Sequence, residues 1–94
     1  MLRVSIFGLG YVGFVRAACL ARAGHQVIGV ETNEEKAAMI NAGRSPIVEP
    51  GLEALLSEVI KSGKLRATLS GREAIENSDV ALISIALADG GAFS

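Results

Sequence analysis

Residues 3–13 read RVSIFGLGYVG. Arg3 to Phe7 is a short run rich in apolar and β-branched side chains that stops at a glycine, the pattern of a strand buried on both faces of a parallel sheet. Gly8, Gly10 and Gly13 then spell G-x-G-x-x-G at the point where a strand gives way to a helix, the context in which that spacing has a mechanism. The first glycine permits the tight turn, the second lets a dinucleotide pyrophosphate approach the backbone, and the third lets helix and strand pack closely. The amides around Tyr11 and Val12, at the helix N-terminus, supply partial positive charge to the pyrophosphate without a lysine. The plainer alternative is a glycine turn with no ligand.

From Tyr11 to Ala23, Val12, Val15, Cys19 and Leu20 fall at helical spacing, and Gly24 stands where a left-handed residue ends a helix. Gln26 to Val30 (QVIGV) reads as a second strand. Glu31 follows it, near the offset at which an acid accepts hydrogen bonds from the adenosine ribose hydroxyls, and its charge repels a 2′-phosphate. With no arginine immediately after it, the expected cofactor is NAD rather than NADP; the alternative is a carboxylate solvated at a helix start.

Further on, Thr32 and Glu35 form a T-x-x-E capping box for a helix to about Ala42. Gly43 to Gly51 (GRSPIVEPG) is too rich in glycine and proline for an element and reads as an ordered or functional loop. Leu52, Leu55, Leu56, Val59 and Ile60 give the next helix an apolar stripe that Gly63 ends. A strand around Arg66 to Leu69, a helix capped by Ser70 with Glu73 and running to about Ser78, and a buried strand from Val80 to Ala86 complete the order β-α-β-α-α-β-α-β. Helices between strands force parallel pairing through right-handed crossovers, so the fold class is α/β, a partial Rossmann-type doubly wound parallel sheet of about four strands. Residues 1–86 form the NAD-binding unit, and 87–94 (LADGGAFS) read as a disordered tail.

The composition removes other classes. Nine basic residues against ten acidic ones leave a net charge of −1 over 94 residues, which favours neither nucleic acid nor an acidic membrane surface. A single cysteine and a single histidine provide no metal cluster and no internal disulfide, and the cytoplasm is the expected compartment. Arg16, Arg22 and His25 interrupt the first apolar stretch before it reaches the length of a membrane span. Cys19 sits mid-helix at a core-facing spacing and reads as packing rather than as a nucleophile, with His25 in a turn, so no catalytic residue is expected in this chain.

Three segments, FGLGYVG at 7–13, GHQVIGVE at 24–31 and SPIVEPGLEALL at 45–56, together resemble the N-terminus of the UDP-glucose/GDP-mannose dehydrogenase family. The resemblance implies an NAD-dependent four-electron dehydrogenase that oxidises the C6 hydroxyl of a nucleotide sugar to a carboxylate through a cysteine-bound thiohemiacetal and thioester. It places Tyr11 and Val12 at the pyrophosphate, and Glu31 and Lys36 at the adenosine end of NAD; Lys36 is otherwise an ordinary solvated lysine of a first helical turn. The family has Asp where this chain has Glu31, and Gly-Thr-Pro where this chain has Ala86-Leu87-Ala88, so its cofactor-contacting threonine is absent at Leu87.

The family's catalytic cysteine and sugar-nucleotide site lie beyond residue 94, so the resemblance further implies a truncated first half of the NAD domain. The nucleotide-sugar substrate then belongs to the complete parent. The fourth strand, with Val80, Leu82 and Ile83, is left open to self-association. A non-catalytic NAD-sensing module and another type of NAD-dependent dehydrogenase are the alternatives.

Overall fold

A computed structural model describes residues 1–84 of the chain. Its elements are β1 (Arg3–Phe7), α1 (Tyr11–Arg22), β2 (Gln26–Val30), α2 (Glu34–Asn41), α3 (Leu52–Lys61), β3 (Leu65–Thr68), α4 (Gly71–Glu76) and β4 (Val80–Ile83). The expected continuation of β4 to Ala86, the Leu87 substitution and the tail at 87–94 lie outside the described residues.

All the strand pairs are parallel and the sheet order is β3-β2-β1-β4, the doubly wound arrangement expected from the alternation of strands and helices. Alternation along the strands splits the apolar side chains between two faces. Val4, Ile6, Val27, Leu65 and Ala67 join residues of α1, α2 and α3 in the larger core, while Ile28 and Val30 meet Ala74 of α4 in a smaller one with Phe7. Ser5 is fully buried on the smaller face, where its hydroxyl accepts from the Ser78 hydroxyl at 2.9 Å.

Several local expectations need correction. On α1 the buried residues are Gly13, Phe14, Ala17, Ala18 and Ala21, whereas Val12 and Cys19 are exposed. Because YVGFVRAACLAR is apolar on nearly every side, hydrophobic period alone does not select a face; the face carrying Gly13, Ala17, Ala18 and Ala21 wins because it lets the helix lie close on the sheet, with Phe14 fully buried beside them. The cap of α2 is Asn33, whose side chain accepts the Lys36 N–H at 3.0 Å, rather than a Thr32–Glu35 box. Ser70 does cap α4 through the Glu73 N–H, but the Glu73 carboxylate turns to Arg66, and the helix stops at Glu76 rather than Ser78. Strand β3 is shifted one residue towards the N-terminus, putting Leu65 into the core and leaving Leu69 outside.

Strand β4 is not buried on both faces. It pairs with β1 at the sheet edge, with Val80, Ala81 and Ile83 exposed and Leu82 packed against the larger core. Gly29 of β2 is required for a reason that the sequence reading missed: a Cβ there would lie 2.6 Å from the Leu9 side chain, which fills the space above the strand.

Candidate functional site

The site lies at the carboxyl ends of β1 and β2, where an open α/β sheet presents loops and helix N-termini to a ligand. Gly8 turns the chain with a φ of +98°, a conformation that suits glycine, and its N–H donates to the Val30 carbonyl at 3.1 Å. Gly10 caps α1 with no side-chain hydrogen bond, and the Phe14 N–H is the first to close a helical turn, onto the Gly10 carbonyl at 2.8 Å. The Tyr11, Val12 and Gly13 amides therefore have no partner within the helix. No acidic residue occupies that first turn, so its positive end stays uncompensated from within the helix.

The three glycines of the loop behave differently. A Cβ at Gly13 would lie 2.0 Å from the Gly8 carbonyl oxygen, so the third glycine is a packing requirement. A Cβ at Gly10 would meet nothing within 4 Å. Its bare backbone thus faces open space beside the free amides, a surface that a diphosphate can approach closely.

Next to this turn, Phe7, Gly8, Val30, Glu31 and Thr32 line a cavity of about 280 Å³. The Glu31 carboxylate is only 11% exposed and already held: Oε2 accepts the Asn33 N–H at 2.8 Å, and Oε1 lies 3.4 Å from Lys36 Nζ. Glu31 and Lys36, which the family resemblance sets together at the adenosine end of NAD, form one ion pair at the cavity edge. A carboxylate fixed in this way presents acceptors to a vicinal diol with little further ordering. Asn33 was not foreseen as part of this arrangement, although asparagine beside a strand end is a recognisable cap.

Tyr11 is over half exposed, and its hydroxyl donates to Glu49 Oε2 of the Gly43–Gly51 loop at 3.2 Å. That hydrogen bond, the Glu49 charge and partial desolvation all favour the neutral phenol and hold its pKa above the ordinary value. Glu49 is a second residue missed by local reading, since only the tertiary fold brings it to Tyr11. Among the described residues no group of three His, Cys, Asp or Glu side chains could hold a metal ion, and no helix is long and apolar enough to cross a membrane.

Comparison with known proteins agrees with this geometry. A family model described as the UDP-glucose/GDP-mannose dehydrogenase family, NAD binding domain, matches residues 2–87. The GDP-mannose 6-dehydrogenase of Pseudomonas putida is 57% identical over 84 residues, covering 89% of this chain and 19% of the relative. The UDP-glucose 6-dehydrogenase of Pseudomonas aeruginosa is 39% identical over 84 residues, covering 89% of this chain and 18% of that one. A solved ternary complex of GDP-mannose dehydrogenase from Pseudomonas aeruginosa superposes with a TM-score of 0.87 at 52% identity, over 89% of this chain and 19% of that structure. The chain thus spans about a fifth of the length of the curated relatives it matches. On the family match, the sheet order and the glycine turn together, this chain belongs to the UDP-glucose/GDP-mannose dehydrogenase family, in its NAD binding domain, and its cofactor is NAD.

Proposed function

We propose that residues 1–86 are the NAD-binding segment of a nucleotide-sugar 6-dehydrogenase, with Gly8, Gly10, Tyr11, Val12 and Gly13 at the pyrophosphate and Glu31 with Lys36 at the adenosine ribose. The observation that carries this reading is the open Gly10 backbone beside three helix amides without helical partners. When bound, NAD supplies the hydride acceptor. The protein's own part is to neutralise the diphosphate with amides and to receive the ribose hydroxyls on a carboxylate that Asn33 and Lys36 already hold. GDP-mannose is favoured as the parent's sugar nucleotide, because the Pseudomonas putida relative named for it is 57% identical and the Pseudomonas aeruginosa relative named for UDP-glucose is 39% identical. The cytoplasm is the proposed compartment, and self-association through β4 is the proposed behaviour of the isolated chain.

The reading is tested by titrating the purified chain with NAD and NADP. NAD should bind more tightly, because a 2′-phosphate would meet the Glu31 carboxylate. Glu31→Ala should weaken NAD by roughly ten-fold or more, the loss of a charge-assisted hydrogen bond worth ~1.5 kcal/mol. It should also narrow the preference, since Lys36, released from its partner, becomes available to the phosphate. Equal affinity of the unmodified chain for the two cofactors would show that Glu31 does not face the ribose.

The isolated chain is also expected to form no NADH from GDP-mannose or UDP-glucose at saturating NAD. Cys19, its single thiol, lies on the exposed side of α1, away from the core side that packs on the sheet. Absorbance at the NADH band checks this directly, and sustained turnover would refute it.

A further inference from the structure

The Gly43–Gly51 loop takes no part in the reading above, yet it is internally braced. The Ser45 hydroxyl donates to the Ile47 carbonyl at 2.6 Å and accepts the Ile47 N–H at 3.1 Å, while Glu53 of α3 accepts the Ser45 N–H at 3.2 Å. Ile47 packs against the larger core, and Gly51, with a φ of +81°, turns the chain into α3. A loop tied at both ends and in its middle keeps one shape. What it offers from that shape is Glu49, on the hydroxyl of a tyrosine 38 residues away.

Tyr11 is the first residue of α1 and follows Gly10, which provides no side-chain cap. A first turn with no cap of its own frays, and ordering it on a ligand costs affinity. Resting on the cofactor reading above, we propose that Glu49 is a positioning residue for NAD: by holding the Tyr11 hydroxyl it fixes the first turn of α1, so that the Tyr11 and Val12 amides are aimed before the pyrophosphate arrives. The acceptor is a carboxylate, which makes a stronger bond to a phenol than a neutral oxygen does. The pair borders a cavity of about 350 Å³ between α1 and α3, whose charged lining side chains are Glu49 and Arg22. The raised pKa of Tyr11 accords with the same contact.

Tyr11 is the chain's one tyrosine and there is no tryptophan, so ultraviolet titration of the phenol reports on Tyr11 alone. Glu49→Ala is expected to bring the phenol titration down towards the ordinary value and to weaken NAD about three- to ten-fold. Glu49→Gln, which keeps an acceptor but not the charge, should regain most of the NAD affinity, with a phenol titration between those of Glu49→Ala and the unmodified chain. Tyr11→Phe should weaken NAD to the same degree, and adding Glu49→Ala to it should change nothing further. If Glu49→Ala does not fold, Tyr11→Phe removes the same bond and carries the comparison. Unchanged NAD affinity in Glu49→Ala overturns the proposal, and so does a loss with an unmoved phenol titration or one that persists in the Tyr11→Phe background. A saturable NAD titration of the unmodified chain separates these outcomes from failure of the cofactor reading, which would appear as a flat titration and take the proposal with it.

Discussion

Alanine at Gly13 and alanine at Gly10 are expected to fail in opposite ways. At Gly13 the new methyl would stand 2.0 Å from the Gly8 carbonyl oxygen, 3.1 Å from the carbonyl carbon and 3.2 Å from Ser84 Cβ. Two of those three atoms are backbone, so no rotamer change relieves the contact; either α1 moves off the sheet or the Gly8 turn opens. Alanine gains about 1 kcal/mol of helix propensity over glycine, but forced overpacking costs roughly 1–3 kcal/mol and more where backbone must shift. The clash wins. A net loss of roughly 2 kcal/mol lowers the melting temperature of a domain this size by roughly 8–16 °C, and the displaced turn loses NAD as well.

At Gly10 the backbone (φ −68°, ψ −166°) is one that alanine adopts freely, and the methyl meets nothing. Thermal stability should therefore fall only slightly, by about 2–4 °C, since alanine is a poorer N-cap than glycine by roughly 0.5 kcal/mol. NAD affinity should fall at least about ten-fold, because the methyl occupies the space a pyrophosphate needs. Melting curves and NAD titrations of the two variants decide the matter. If Gly10→Ala binds NAD like the unmodified chain, the diphosphate does not lie on this turn; if Gly13→Ala melts normally, the close approach of α1 to β1 is not a packing requirement.

The glycine turn was legible in the sequence because its cause is local: three residues without side chains at fixed offsets, after a strand and before a helix. The same holds for Gly24 and Gly63, each of which has a positive φ where a helix ends. What sequence could not provide was choice between equivalent local options. Thr32 and Asn33 are both good caps, and Asn33 wins because Glu31 is still engaged by β3, its N–H donating to the Thr68 carbonyl at 2.9 Å, and its carboxylate then takes the Asn33 N–H. The apolar side chains of α1 offer two faces, and only docking on the sheet shows that alanines go inwards. The Glu31–Lys36 pair joins opposite charges five residues apart, but only the fold sets their distance; Tyr11 and Glu49 are 38 residues apart, and their contact depends on how α3 sets its preceding loop against α1.

Strand β4 illustrates the same limit and supports the other large expected effect, concentration-dependent association of the isolated chain. An unbroken apolar run reads alike whether its strand is central or at an edge. Here β4 pairs with β1 alone among the described residues, and Val80 and Ile83 are 38% and 68% exposed. The Ser84 N–H donates to the Phe7 carbonyl at 2.8 Å, so ladder alternation turns the N–H and C=O groups of Ala81 and Ile83 to the open side. Val80–Ile83 contains neither a charge nor a proline, the features that usually stop such an edge from pairing. Two copies related by a two-fold axis can join these edges antiparallel, each satisfying the other's backbone groups and covering Ile83. Sedimentation should show the dimer fraction rising with concentration, and Ile83→Lys should return the chain to monomer while melting like the unmodified chain at dilutions where that chain is also monomeric, because the side chain is outside both cores. Leu82→Lys is no substitute: Leu82 packs against the larger core, and a lysine there would unfold the strand instead of blocking its edge. A chain that stays monomeric on concentration would mean that this edge is covered in solution, and the pairing argument would fall.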